Sequence, residues 1–211
     1  MERTITVTGT GRLSLPPDTI QIHMTLTAKN PDYAAVMQDA DRRFAALQSA
    51  MEEAEIPAEK LRTEHYQVDT EYQHLPDENG NYRQVFAGHI CRHTLMLELE
   101  LDLKLLGEVL AAAEKSGAEP EFGITFTLRD QETVHEKLLK LAAEQAHKDA
   151  IVLATSAGAA LGSLAAVRYH DEQPQAGGGM MLRAAKMCDA ASITPEQITM
   201  EESAVFVWKL N

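Results

Sequence analysis

LAAEQAHKDAIVLATSAGAALGSLAAVRY, residues 141–169, is the stretch from which the rest of the chain can be placed. Ala142, Ala146, Ala150 and Ala154 recur every fourth residue, so small side chains line one helical face and a neighbour packs close against it. Gly158 and Gly162 bracket the exit into a strand, where a helix end needs tight or left-handed backbone. The stretch predicts a helix beside a sheet. It names no reaction.

Working outward, Asp130 caps that helix, and residues 163–170 form the strand after it. Phe122, Ile124, Phe126 and Leu128 alternate as the strand before it. Further upstream Asp102 opens a helix carrying Leu105, Leu106, Val109 and Leu110, closed by Gly117. A long hairpin precedes it: Tyr66, Val68 and Tyr72 alternate with polar residues, Asn79-Gly80 supplies the turn, and residues 82–100 return. A return of that length exceeds the usual three to ten residues, so it is bent, bulged or projected beyond the sheet.

At the start of the chain Ile5, Val7, Gly9, Gly11 and Leu13 share one strand face, and Thr4, Thr6, Thr8 and Thr10 the other. After Pro16-Pro17-Asp18, Ile20, Ile22, Met24, Leu26 and Ala28 alternate with polar residues, and the two strands read as a hairpin. Asn30-Pro31-Asp32 then opens a helix with the stripe Val36, Met37, Ala40, Phe44, Leu47 and Met51. Residues 173–192 break the rhythm and predict a mobile glycine-rich connector, with a short amphipathic helix in MMLRAAKMCDAAS. Ala204, Phe206, Trp208 and Leu210 close the chain as a strand. The order ββαββαβαββ repeats no βαβ unit. It predicts a single α+β domain over 1–211, a mainly antiparallel sheet with helices on one face.

Composition narrows the function. A chain of 211 residues with 45% hydrophobic and 24% charged residues is that of an ordinary globular protein. A net charge of −13 argues against nucleic acid, whose phosphates need lysine and arginine. No run of about 18 apolar residues is present to span a bilayer. MERTITVTGTG goes straight into strand pattern with no secretory leader, so the expectation is a cytoplasmic protein, or a cell-envelope one if a leader was removed. Cys91 and Cys188 are too few for a disulfide scaffold and read as two reduced thiols, a single bridge being the alternative.

The element order, Val7-Thr8-Gly9-Thr10-Gly11, Pro17-Asp18 before the second strand, the Gly88-containing return strand, and the alanine-rich helix running into Leu161-Gly162-Ser163-Leu164 together resemble the SIMPL-domain, or YggE-like, family. The likeness spans nearly the whole chain. Ile193-Thr194-Pro195-Glu196 keeps only part of the family's Pro-Ile-x-Pro-Gly-like approach to the last strand, and many relatives carry an export signal. The resemblance implies oligomeric assembly and an envelope- or stress-related role. It brings no catalytic residues.

Among the residues themselves, His89, Cys91 and His93 are the sharpest constellation. At spacing two they share a strand face, and imidazole with thiolate suits zinc or copper. Against this, neighbours two apart on a strand sit about 7 Å from each other, and Leu95, Leu97 and Leu99 continue the same row, so a surface or interface row turning into core is the plainer reading. Asp69 with Glu71, Glu98 with Glu100, and the acids at 52, 53 and 55 read as solvated faces rather than acid–base pairs. Gly177–Gly179 lacks phosphate-loop spacing, and no GxSxG, HExxH or CxxC is present.

The expectation is therefore a non-enzymatic, oligomer-forming or binding module without cofactor. The arm 61–100 is its main subunit contact, with Tyr66, Tyr72, Tyr82 and Phe86 as aromatic anchors. The alternative is a thiol- or metal-dependent redox protein using Cys91 or Cys188 with a nearby histidine.

Overall fold

A computed structural model of the chain describes residues 3–56, 58–76, 82–169, 180–182 and 194–211. Its strands and helices fall into two compact units interleaved along the chain. One gathers Met1–Pro17, Thr127–Gly177 and Pro195–Asn211; the other gathers Asp18–Phe126 and Gly178–Thr194. Both are α+β, with antiparallel strand pairing.

In the first unit β1 (Thr4–Leu15), β6 (Leu161–Arg168) and β8 (Ile198–Leu210) form a sheet in the order β1-β8-β6. Helix α3 (Gln131–Ser156) lies on it, capped by Asp130, whose side chain accepts from the Thr133 amide at 2.9 Å. Every expected alanine of α3, from Ala142 to Ala154, is buried. The neighbour that demands such small side chains is β1. A Cβ on Gly9 would sit 1.9 Å from the Ala142 carbonyl oxygen, and one on Gly11 would sit 1.9 Å from that of Leu138. Strand and helix backbones thus approach as closely as atoms allow. Val7, Phe206 and Trp208 fill the space on one side of this contact, and Leu13, Leu138 and Met200 on the other.

The second unit carries β2 (Thr19–Asn30), β3 (Arg62–Pro76), β4 (Tyr82–Glu100), β5 (Glu121–Thr127) and β7 (Met180–Leu182) in the order β3-β4-β2-β5-β7. The apolar face of β2 and β4, with Ile20 opposite Leu99 and Ile22 opposite Leu97, packs against α1 (Tyr33–Glu53) and α2 (Leu103–Lys115). Asp32 caps α1, accepting from the Ala35 amide, and Asn30 Oδ1 accepts from the Asp32 amide. Asp102 caps α2, accepting from the amides of Lys104 and Leu105.

Two expectations need correcting. β1 and β2 do not form a hairpin: β1 pairs with β8 from Thr4↔Lys209 to Leu15↔Ile198, and β2 pairs with β4. A proline-rich connection of three residues changes sheet instead of turning back, and strand pattern alone does not distinguish the two. Met180–Leu182, inside the stretch read as connector and short helix, is a strand on the edge of β5. The Asn79-Gly80 turn, Gly177–Gly179, Met187, Cys188 and the rest of 183–193 lie outside the described residues.

Candidate functional site

The long hairpin forms as the pattern predicts. β2 flanks β4 only from Asn30↔His89 onward to Thr19↔Glu100, whereas β3 follows β4 out to Pro76↔Tyr82. Beyond His89 the hairpin is therefore a two-stranded arm, with no third strand beside it among the described residues. The expected irregularity sits at its root. Register shifts between Glu71 and Tyr72, where Ala87 is the extra residue of β4. Gly88 has φ +144°, and a Cβ there would lie 2.9 Å from the Asn30 carbonyl oxygen, so no other residue fits where β4 passes the end of β2.

Of the four expected anchors within 61–100, three lie on this outer, two-stranded part. Tyr72 and Phe86 face each other across it, ring centroids 6.3 Å apart. They are 52% and 49% exposed, and Tyr82, opposite Pro76, is 74% exposed. Rings of this size are rarely left so open on a surface without a partner. Two further aromatics extend the row. The His89 ring lies 5.4 Å from Phe86 and 5.5 Å from Tyr33, itself exposed at the start of α1. The fourth, Tyr66, lies on β3 nearer the root of the hairpin, opposite His93. Its ring sits 4.9 Å from His93, and its hydroxyl donates to Met37 Sδ at 3.8 Å. That inward-turned hydroxyl loses water and meets the Cys91 thiol, which pushes its pKa up to about 12 although the ring is partly open.

The row His89, Cys91 and His93 shares one face but three environments. His89 belongs to the aromatic arm. Cys91 is wholly buried among Ala28, Val36 and Ala40. His93 lies between Phe44 and Tyr66, each 4.9 Å away, with Nε2 2.8 Å from Thr63 Oγ1. Burial holds its imidazole below the ordinary value, and Asp41 opposes this only in part. The row runs from surface into core because α1 covers one end of it. Among the described residues no three His, Cys, Asp or Glu are grouped to hold a metal ion.

The acidic pairs have local partners on the polar face of the sheet. Asp69 meets Arg92 at 3.3 Å, Glu71 meets Lys29 at 2.7 Å, and Glu98 accepts from Gln21 at 3.3 Å.

Sequence reasoning missed one group in the first unit. Glu202 is buried, with His135 Nδ1 of α3 at 3.2 Å and the Tyr169 hydroxyl donating to it at 3.3 Å. A buried carboxylate must be partnered or neutralised, and here its partners tie α3 and the end of β6 to β8. The signal was present: Glu202 has the parity of Met200, Ala204 and Phe206, so it points into the core. The same unit leaves apolar side chains of β6 open. Leu164 and Val167, paired with Trp208 and Phe206 of β8, are 52% and 49% exposed, and Ala166, paired with Val207, is exposed as well.

Among the described residues no helix is long and apolar enough to cross a membrane. No curated protein matches the chain. The profile of the SIMPL family, a protein of unknown function (DUF541), matches residues 5–208, nearly every element described above. The chain belongs to the SIMPL family.

Proposed function

We propose that this protein is a non-enzymatic, assembly-forming module of SIMPL type, with the β3–β4 arm as its main contact with a second copy. The observation that carries the reading is the exposed aromatic row Tyr72, Phe86 and Tyr82 on a hairpin that outruns its sheet. Aromatics concentrate at the energetic centres of interfaces, and closed symmetric assembly is the usual way a soluble chain covers such a surface. Tyr66 contributes at the root of the arm, where it is already braced by His93. A role in envelope or oxidative-stress tolerance, as the family likeness implies, is then indirect and follows from the assembled form.

A redox role for Cys91 has less support. A thiol acts as its thiolate, which needs access and an electropositive setting, and Cys91 lies fully buried among alanine and valine side chains. Light scattering on the parent protein at tens of micromolar tests the assembly. A mass above one chain is expected, and Tyr72→Asp with Phe86→Asp should lower it while the circular dichroism spectrum is kept. A parent protein that stays monomeric sinks the proposal.

A further inference from the structure

We infer that the outer edge of β5 binds an extended segment of another polypeptide, apolar at alternate positions and basic at its end. On this reading β7 is the chain's own short stand-in for that segment. The site lies at the opposite edge of the sheet from β3, so it does not depend on the arm.

β5 runs over the seven residues Glu121–Thr127, and β7, Met180–Leu182, covers three of them. The pairing is antiparallel, Phe122↔Leu182, Gly123↔Met181 and Ile124↔Met180. Among the described residues Thr125 and Phe126 have no strand beside them on this side. Unpaired backbone at a sheet edge is a template for a further strand. Main-chain bonds to such an edge are a recurring way of holding an extended peptide, with side chains at alternate positions giving the selectivity.

The register says what the edge selects. Partners across an antiparallel pair share a face, so Leu182 and Met180 take the face of Phe122 and Ile124. Ile124 is part of the buried core with Ile22 and Leu106, and Phe122 and Phe126 pack against it half-buried. Carried two residues further, the same register would set Gly178 opposite Phe126, and glycine brings no side chain to cover that ring. A segment with an apolar residue there would bury what β7 leaves open. At the other end the register would set Arg183 opposite the exposed Glu121. A basic residue at that place meets a carboxylate, and the net charge of −13 steers a basic segment toward the chain. The edge therefore selects apolar-x-apolar-x-apolar-basic, and β7 with the residue after it matches all but the first apolar position. Because β7 is tethered, it competes at high effective concentration. An outside segment takes the edge only where its additional contact wins.

A reversible lock tests this within one protein. Gly123→Cys and Met181→Cys are paired across β5 and β7, and Cys188→Ser removes the competing thiol. A Cβ on Gly123 would meet the His23 Cβ at 3.7 Å, an ordinary contact, so a cysteine fits there. The probe is a fluorescein-labelled peptide, Gly-Val-Gln-Val-Gln-Val-Arg, read by anisotropy, with Gly-Gln-Gln-Val-Val-Val-Arg as its scramble. Oxidised, the disulfide holds β7 on β5 and the probe should not bind. Reduced, it should bind about tenfold more tightly than the scramble. Changing the first valine of the probe to glycine should weaken binding, and Phe126→Ala should erase that difference. Equal binding in the oxidised and reduced forms, or none in either, overturns the inference. So does equal binding of the scramble, which marks adventitious apolar adhesion only. Failure of the disulfide to form under oxidant, read by mass spectrometry, means that β7 does not lie on β5 and also overturns it. Should circular dichroism show the cysteine chain unfolded, Met180→Asp with Leu182→Asp gives the same decision. With β7 released, the probe must bind about tenfold more tightly than it does to the parent, and unchanged affinity overturns the inference.

Discussion

The two units solve one packing problem in opposite ways. Each lays helix on antiparallel sheet. In the first, α3 and β1 are held apart by backbone alone, since glycine faces the Ala142 and Leu138 carbonyls and alanines line the helix. In the second, α1 and α2 stand off the sheet on fully buried Ile20, Ile22, Met24, Leu47, Leu97 and Leu106. Contact between backbones tolerates no added atom, and contact between large side chains tolerates no lost one. The units should therefore fail under opposite substitutions.

Leu97→Ala in the second unit should cost roughly 2–5 kcal/mol, the loss of transfer energy plus a cavity. Gly11→Val in the first should cost about 3 kcal/mol or more, because its Cβ would meet a carbonyl oxygen that cannot move without α3. Trp208, the one tryptophan, is buried in the first unit, so its fluorescence reports on that unit while circular dichroism reports on both. If Gly11→Val melts like the parent, the close approach does not hold the first unit and the contrast collapses. Ala150→Leu tests the helix side of the same contact. Ala150 is fully buried beside Val7, Ala204, Phe206 and Trp208. Overpacking there should cost roughly 1–3 kcal/mol, and an unchanged thermal midpoint would count against the packing argument.

The contrast was half legible in the sequence. Alanine at every fourth residue announced a close neighbour for α3, and glycine inside a strand, as at Gly9 and Gly11, marks either a bulge or close backbone approach. That the two meet each other was not legible, because spacing within an element says nothing about its partner. The same limit explains the misplaced hairpin. Alternation assigned β1 and β2 as strands, but their partners, β8 and β4, lie far off in sequence. The arm was readable because its two strands are local and joined by Asn79-Gly80. Tyr66 counts among the anchors because it falls within 61–100, and position along a strand does not show that its hydroxyl meets Met37 of α1. Glu202 was missed because the alternation was begun at Ala204, two residues too late to see an acid on the core side.

Caps belong to neither packing scheme, which makes them a control on the comparison. Asp102 accepts from two amides of α2, at 2.9 and 3.1 Å. Asp102→Ala should cost about 1 kcal/mol, clearly less than Leu97→Ala in the same unit. Equal losses would mean that helix formation, rather than the filled core, limits the stability of the second unit, and the contrast drawn above would be the wrong one.

The smallest effect separates the units by acid. The second unit buries the His93 imidazole against Phe44 and Tyr66, while the first sets His135 against a carboxylate. Burial lowers the folded pKa of His93 below the ordinary value of 6.5, with Asp41 opposing in part. Between the folded and unfolded values the unfolded chain binds more protons, so stability rises with pH across that window. The penalty is absent above the ordinary value and grows as pH falls below it, until the folded group also takes its proton. His93→Gln removes this proton while leaving a side chain that reaches Thr63. Between about pH 7.5 and about pH 5, where ordinary carboxylates stay ionised, the variant should lose less stability than the parent, read as the shift in urea midpoint by circular dichroism. The slope read through Trp208 should not change, because that ring reports on the other unit. Parallel pH profiles for variant and parent would show that His93 is solvated in the folded chain. A change seen equally by both probes would show instead that the two units unfold as one.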